Sequence, residues 1–63
     1  MAAESTTIEF HDYSENQEGF AVVRRFEDKV AVCLSLESNG DVEALVDRAV
    51  VEKLITALQE AIT

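Results

Sequence analysis

The sequence predicts an α+β fold: an antiparallel four-stranded β-meander, three strands at the least, followed by one C-terminal α-helix packed on the sheet. Three observations predict it. Two stretches, 20–26 and 30–37, are rich in β-branched and aromatic residues, and the second alternates Val30, Val32, Leu34 and Leu36 with Ala31, Cys33, Ser35 and Glu37. A Ser-Asn-Gly reversal sits inside "SLESNGDVEAL", with half-apolar runs on both sides. From Asp47 onward the apolar period changes from 2 to 3.6, with no glycine or proline to interrupt it.

Residues 1–7 are small or polar and aperiodic, and read as a disordered lead to a single domain over 8–63. The first strand is expected over 8–13, where Ile8 and Phe10 alternate with Glu9, His11 and Tyr13. A polar loop, 14–19, follows and ends in Gly19. The second and third strands flank a three-residue polar connection, Glu27-Asp28-Lys29, which would pair Phe26 with Val30. Phe20, Val22 and Phe26 would then share a face with Val30, Val32, Leu34 and Leu36. Arg24 would share it too, at the sheet margin or with its stem snorkelling outward. The fourth strand follows Ser38-Asn39-Gly40, read as a type I turn closed by a left-handed Gly40, with Glu37 facing Asp41. A two-residue Asn39-Gly40 turn competes. It is less favourable because it would turn Val42 and Val46 away from the apolar row. Asp47 is the expected N-cap of a helix over Arg48–Thr63.

Length and composition bound the rest. A chain of 63 residues buries only about 60% of its unfolded surface and usually needs a staple. Cys33 is the single cysteine and His11 the single histidine, so neither an internal disulfide nor a compact metal site is expected. A second copy of the chain is the remaining staple. The helix carries two apolar stripes, Val50-Leu54-Ala57-Leu58-Ala61 and Val51-Ile55-Leu58-Ile62, wider together than one core contact needs. The reverse of the sheet is expected to carry Ala21, Val23, Ala31, Cys33 and Leu45. Val23, Cys33, Leu45, Val51, Ile55 and Ile62 are therefore the candidate self-association residues.

Thirteen acidic against five basic residues give a net charge of −8, which opposes binding to nucleic acid or anionic membrane. A basic protein partner is permitted. Apolar residues form 48% of the chain, too many for disorder, yet no run is long enough to span a bilayer. The start, "MAAESTT", lacks the basic and apolar regions of a signal peptide, and an unpaired cysteine fits a cytoplasmic location.

Catalysis is not expected. His11 and Asp12 are adjacent on a strand and point to opposite faces. Cys33 lies in an apolar run that keeps its thiol protonated, with only His11 available as a base. The carboxylates of Glu37, Asp41 and Glu43 around Gly40 bear a superficial likeness to a calcium loop, without its twelve-residue frame or terminal glutamate. Arg24 and Arg25 are too few to bind nucleic acid and are expected to meet carboxylates. No cofactor is implied. The expected function is a small acidic, non-enzymatic protein–protein interaction module that self-associates as a dimer or higher oligomer. The alternative is an acidic inhibitor, an immunity or anti-defence protein that occupies a basic site on a nuclease or DNA-binding protein.

Overall fold

Antiparallel pairing joins every pair of consecutive strands in the computed structural model, which describes residues 4–63. The elements run β1 (Ser5–Asp12), β2 (Gln17–Phe26), β3 (Lys29–Leu36), β4 (Gly40–Val46) and α1 (Arg48–Ala61). The sheet order is β1-β2-β3-β4, and α1 packs on it through β3. The expected α+β meander with a C-terminal helix is the fold observed. The expected lead falls partly on residues 1–3, which lie outside the described residues. β1 starts at Ser5 rather than Ile8, because Ser5, Thr6 and Thr7 pair with Arg24, Val23 and Val22.

Two registers differ from expectation. The β2–β3 connection is a two-residue turn, Glu27-Asp28, and Phe26 pairs with Lys29 instead of Val30. One residue of slip exchanges the faces of β2. Ala21, Val23 and Arg25 therefore join Val32, Leu34 and Val30, while Phe20, Val22, Arg24 and Phe26 go to the reverse side with Ser35, Cys33, Ala31 and Lys29. The physical reason is charge placement. The expected register would put Arg24 inside the apolar row. The observed one places Arg25 at the end of that row and lets Arg24 reach Glu43 across β3 on the reverse face, Nη2 to Oε2 at 3.2 Å. The left-handed Glu27, φ 58°, is the conformational cost of the shorter turn.

The β3–β4 reversal keeps the expected facing but shifts by two residues. Leu36 pairs with Gly40, Leu34 with Val42 and Val32 with Ala44. Gly40 has φ +80°, the positive value expected of it, with open space where a Cβ would sit. A methyl group there would meet no atom, only backbone strain.

These registers give the first face of the sheet a row structure. Glu4, Arg25, Val30 and Val46 lie at one end. Thr6, Val23, Val32 and Ala44 come next, then Ile8, Ala21, Leu34 and Val42, then Phe10, Gly19, Leu36 and Gly40. Gly19 is buried between two large neighbours. A Cβ on it would stand 2.7 Å from Leu36 Cδ2 and 2.8 Å from Phe10 Cζ, so the glycine is what lets Phe10 lie across β2 onto Leu36. The second face carries His11, Glu9 and Thr7 of β1, the displaced side of β2, and Ala31, Cys33, Glu43 and Leu45.

α1 begins as expected. Asp47, φ −90° and ψ 175°, caps it by accepting from the Val50 N–H at 3.1 Å. An Arg48–Glu52 pair at 3.0 Å adds one i,i+4 contact on its exposed side. Packing beyond the first turns is thin. Val51 is half-buried, and no residue of α1 is fully buried.

Two substitutions test this arrangement. Gly19→Ala should destabilise the fold by about 1–3 kcal/mol, since the new methyl overpacks against Phe10 and Leu36. Glu27→Gly should stabilise it by roughly 0.5–1 kcal/mol by relieving the left-handed strain. Chemical denaturation measures both, and a loss of stability in Glu27→Gly would contradict the two-residue turn.

Candidate interaction surfaces

A polar clamp locks one end of the slab. Gln17 is only 5% exposed and stands at the end of the first face, beyond Gly19. Its Nε2 donates to Asp12 Oδ2 at 2.9 Å and to Asn39 Oδ1 at 2.8 Å. Its Oε1 accepts from the Ser38 N–H at 2.7 Å. One amide thus ties the β1–β2 loop to the β3–β4 loop. Asp12 also accepts from the N–H and Oγ of Ser14. The donated bonds, that of Gln17 foremost, hold its carboxyl below the usual carboxylate value. Gln17 was not singled out in the sequence. The signal available was its place in the alternation Gln17-Gly19-Ala21-Val23, a polar residue closing an apolar row.

His11 lies on the second face opposite Glu18. Its Nδ1 stands 2.9 Å from Glu18 Oε2, and its Nε2 stands 2.9 Å from Asn16 Oδ1. The Tyr13 ring meets it edge-on at 4.9 Å. Two oxygen acceptors flank a ring that carries two N–H groups only when protonated. The Glu18 bond, then the Asn16 bond, therefore raises the His11 pKa above its ordinary value. Cys33 shares this face but is paired with Val22, which is paired with Thr7. It is two strands and four residues from His11, about 16 Å by strand spacing. Neither group is placed to activate the other.

The candidate self-association residues do not form one patch. Val23 is on the first face, 39% exposed, whereas Cys33 and Leu45 are on the second. Val51 points toward the sheet beside Val30 and Val23, and lines with them a groove at the start of α1. Ile55 on the helix and Ile62 at its C-cap are exposed. Of the residues expected on the reverse of the sheet, Ala31, Cys33 and Leu45 share one face. Ala21 and Val23 lie on the opposite one, as the β2 slip requires.

The apolar surface outside any core is large. Ala31 is the one buried hydrophobic residue among those described, under Arg24, Phe26 and Leu45. Ile8, Leu34 and Val42 on the first face are 53%, 47% and 70% exposed. The accessible surface is 5290 Å², against about 4,000 Å² for a compact monomer of this mass. The radius of gyration is 12.9 Å, against about 11 Å for a packed domain of this length. The principal extents of 35 × 30 × 17 Å describe a thin plate.

Charge is unevenly distributed. The end that carries both loops, with the strand ends that flank them (residues 11–18 and 35–41), holds Asp12, Glu15, Glu18, Glu37 and Asp41 and neither lysine nor arginine. Among the described residues no three His, Cys, Asp or Glu side chains are placed to hold a metal ion. No helix is long and apolar enough to cross a membrane. Comparison with protein-family models, with curated proteins and with solved structures found no match.

Gln17→Leu should cost about 2 kcal/mol, because the Ser38 N–H loses its buried acceptor, and the Asp12 carboxyl should return toward its ordinary pKa in an NMR titration. The two perturbed groups also set a pH window. His11 is raised, so its contribution is complete below pH 6.5 and is lost as pH rises through its folded pKa. Asp12 is lowered, so its contribution is present above pH 3.8 and is lost as pH falls through its folded pKa. Stability should therefore peak between these limits, and His11→Gln should flatten the upper flank of the profile. A stability that climbs steadily from pH 6 to pH 8 would contradict the His11 pairing.

Proposed function

We propose that this chain is a small non-enzymatic protein–protein interaction module that works as a homo-oligomer, a dimer in its simplest form. One observation carries the reading: a folded chain with a single buried hydrophobic residue leaves thirteen large apolar or aromatic side chains exposed among those described. A monomeric protein seldom leaves so much apolar surface in contact with water. Burial of about 300 Å² of it against a twin contributes roughly 7 kcal/mol, comparable to the whole stability of a small domain. The absence of a cooperating acid–base or nucleophile–base pair among His11, Asp12 and Cys33 supports the non-enzymatic part. The unpaired Cys33 supports a cytoplasmic setting.

The working surface in this reading is the two-loop end. Gln17 holds its loops together, its carboxylates point to a basic protein partner, and Tyr13 stands 88% exposed beside them. The same polarity favours a second reading, an acidic inhibitor that occupies the basic site of a nuclease or DNA-binding protein.

Sedimentation equilibrium separates these readings. Self-association should persist, or tighten, between about 50 mM and 500 mM salt, because apolar burial drives it and salt screens the repulsion of two −8 chains. A monomer at about 100 μM would sink the oligomer reading, since that concentration detects any association tighter than roughly 5 kcal/mol. Capture of a basic nucleic-acid-binding enzyme by the monomer, lost steeply with added salt, would favour the inhibitor.

A further inference from the structure

We propose that α1 of a second copy covers the first face of the sheet, reciprocally, so that each helix lies across its partner's row of Ile8, Ala21, Leu34 and Val42. This rests on the self-association proposed above and adds which surfaces meet. The four residues are cross-strand partners from edge to edge, a strip without a charged residue, and three of them are large and about half or more exposed. Charges on the first face stand only at its two ends, whereas on the second face Glu9, Glu18, Arg24, Lys29 and Glu43 stand among the exposed Phe20, Phe26 and Leu45 and break its apolar surface up. Two chains of net charge −8 meet most cheaply through the strip that carries no charge.

The helix supplies the matching half. Exposure rises along its apolar side, from the half-buried Val51 to Leu54 at 44%, Leu58 at 64% and Ile62 at 85%. Its own sheet therefore covers the first turns and leaves the C-terminal half bare. At 100° per residue the two apolar stripes of α1, which leave out Ala49, span an arc of about 160°, while one packing contact occupies roughly 100°. A second sheet accounts for the remainder. The area agrees as well: the surplus of accessible surface over a compact monomer is on the order of 1,000 Å² per chain, and a stable dimer buries about 800 Å² from each partner. A two-fold axis makes the strip-to-helix contact twice, once in each direction.

A charge exchange tests this arrangement. Val42→Asp and Leu58→Lys alter side chains that are 70% and 64% exposed within one subunit, so neither disturbs its own subunit's packing. Each variant alone should self-associate at least about tenfold more weakly, since an unpaired charge enters the contact. An equimolar mixture should form heterodimers by native mass spectrometry. In them, one contact is unchanged and in the other the introduced aspartate meets the introduced lysine. Phe20→Lys, on the second face, should dimerise like the unaltered chain. If a variant unfolds alone, its far-UV circular dichroism should recover on mixing. A dimeric parent chain whose two variants still dimerise alone, or fail to pair when mixed, overturns the helix-over-strip contact and leaves self-association standing. A parent chain that is monomeric at about 100 μM overturns both.

Discussion

A 14-residue helix covers one strip of a four-stranded sheet, and this sheet has apolar residues on both sides. That mismatch of areas governs the molecule. Hydrophobic burial is the main favourable term in folding and scales with area removed from water. Here the backbone pairings of the meander are complete, yet the side chains they present have little to pack against. Main-chain pairing and a few local clamps hold the plate together: Phe10 across Gly19, Gln17 between two loops, Asp47 on the helix. None of these replaces a core. Each fixes the shape of a surface whose largest apolar areas remain open, and so defines what a partner would find.

Much of the fold was legible from residues 20–63, and the reasons are local. Alternation marked β3, the change of period marked α1, and the free carboxylate of Asp47 marked its start. Gly40 was identified by the one property that matters there, a positive φ. The β2 register was misread for an equally local reason. Phe20, Val22 and Phe26 compete with Ala21 and Val23 for the better-covered face, and both assignments satisfy an alternation rule. The tie is broken by side-chain placement that alternation does not encode, the reach of Arg24 to Glu43 and the need of Phe10 and Leu36 for a neighbour without a Cβ.

The candidate surfaces were legible only in part. An excess of apolar positions was visible in Leu45, Val51, Ile55 and Ile62, but their distribution over two faces depended on the register. The clamp at Gln17 was invisible because it joins residues 22 apart in sequence, Gln17 and Asn39, through a side chain. The pairing of His11 was hidden because its partner, Glu18, comes opposite it only once the length of the first loop is known. Long-range polar contacts of this kind follow from the assembled sheet and leave no periodic trace.

The sheet order has a consequence for how the protein matures. Every strand pairs with its neighbour in the chain, so the loops that must close during folding are only two to four residues long. Such a topology reaches its plate-like form quickly, because little chain entropy is lost before each pairing is rewarded. In the proposed dimer, docking of two plates is bimolecular and slows on dilution. The greasy plate would therefore exist first as a transient, sticky species, whose lifetime is set by how many copies the ribosomes have just released.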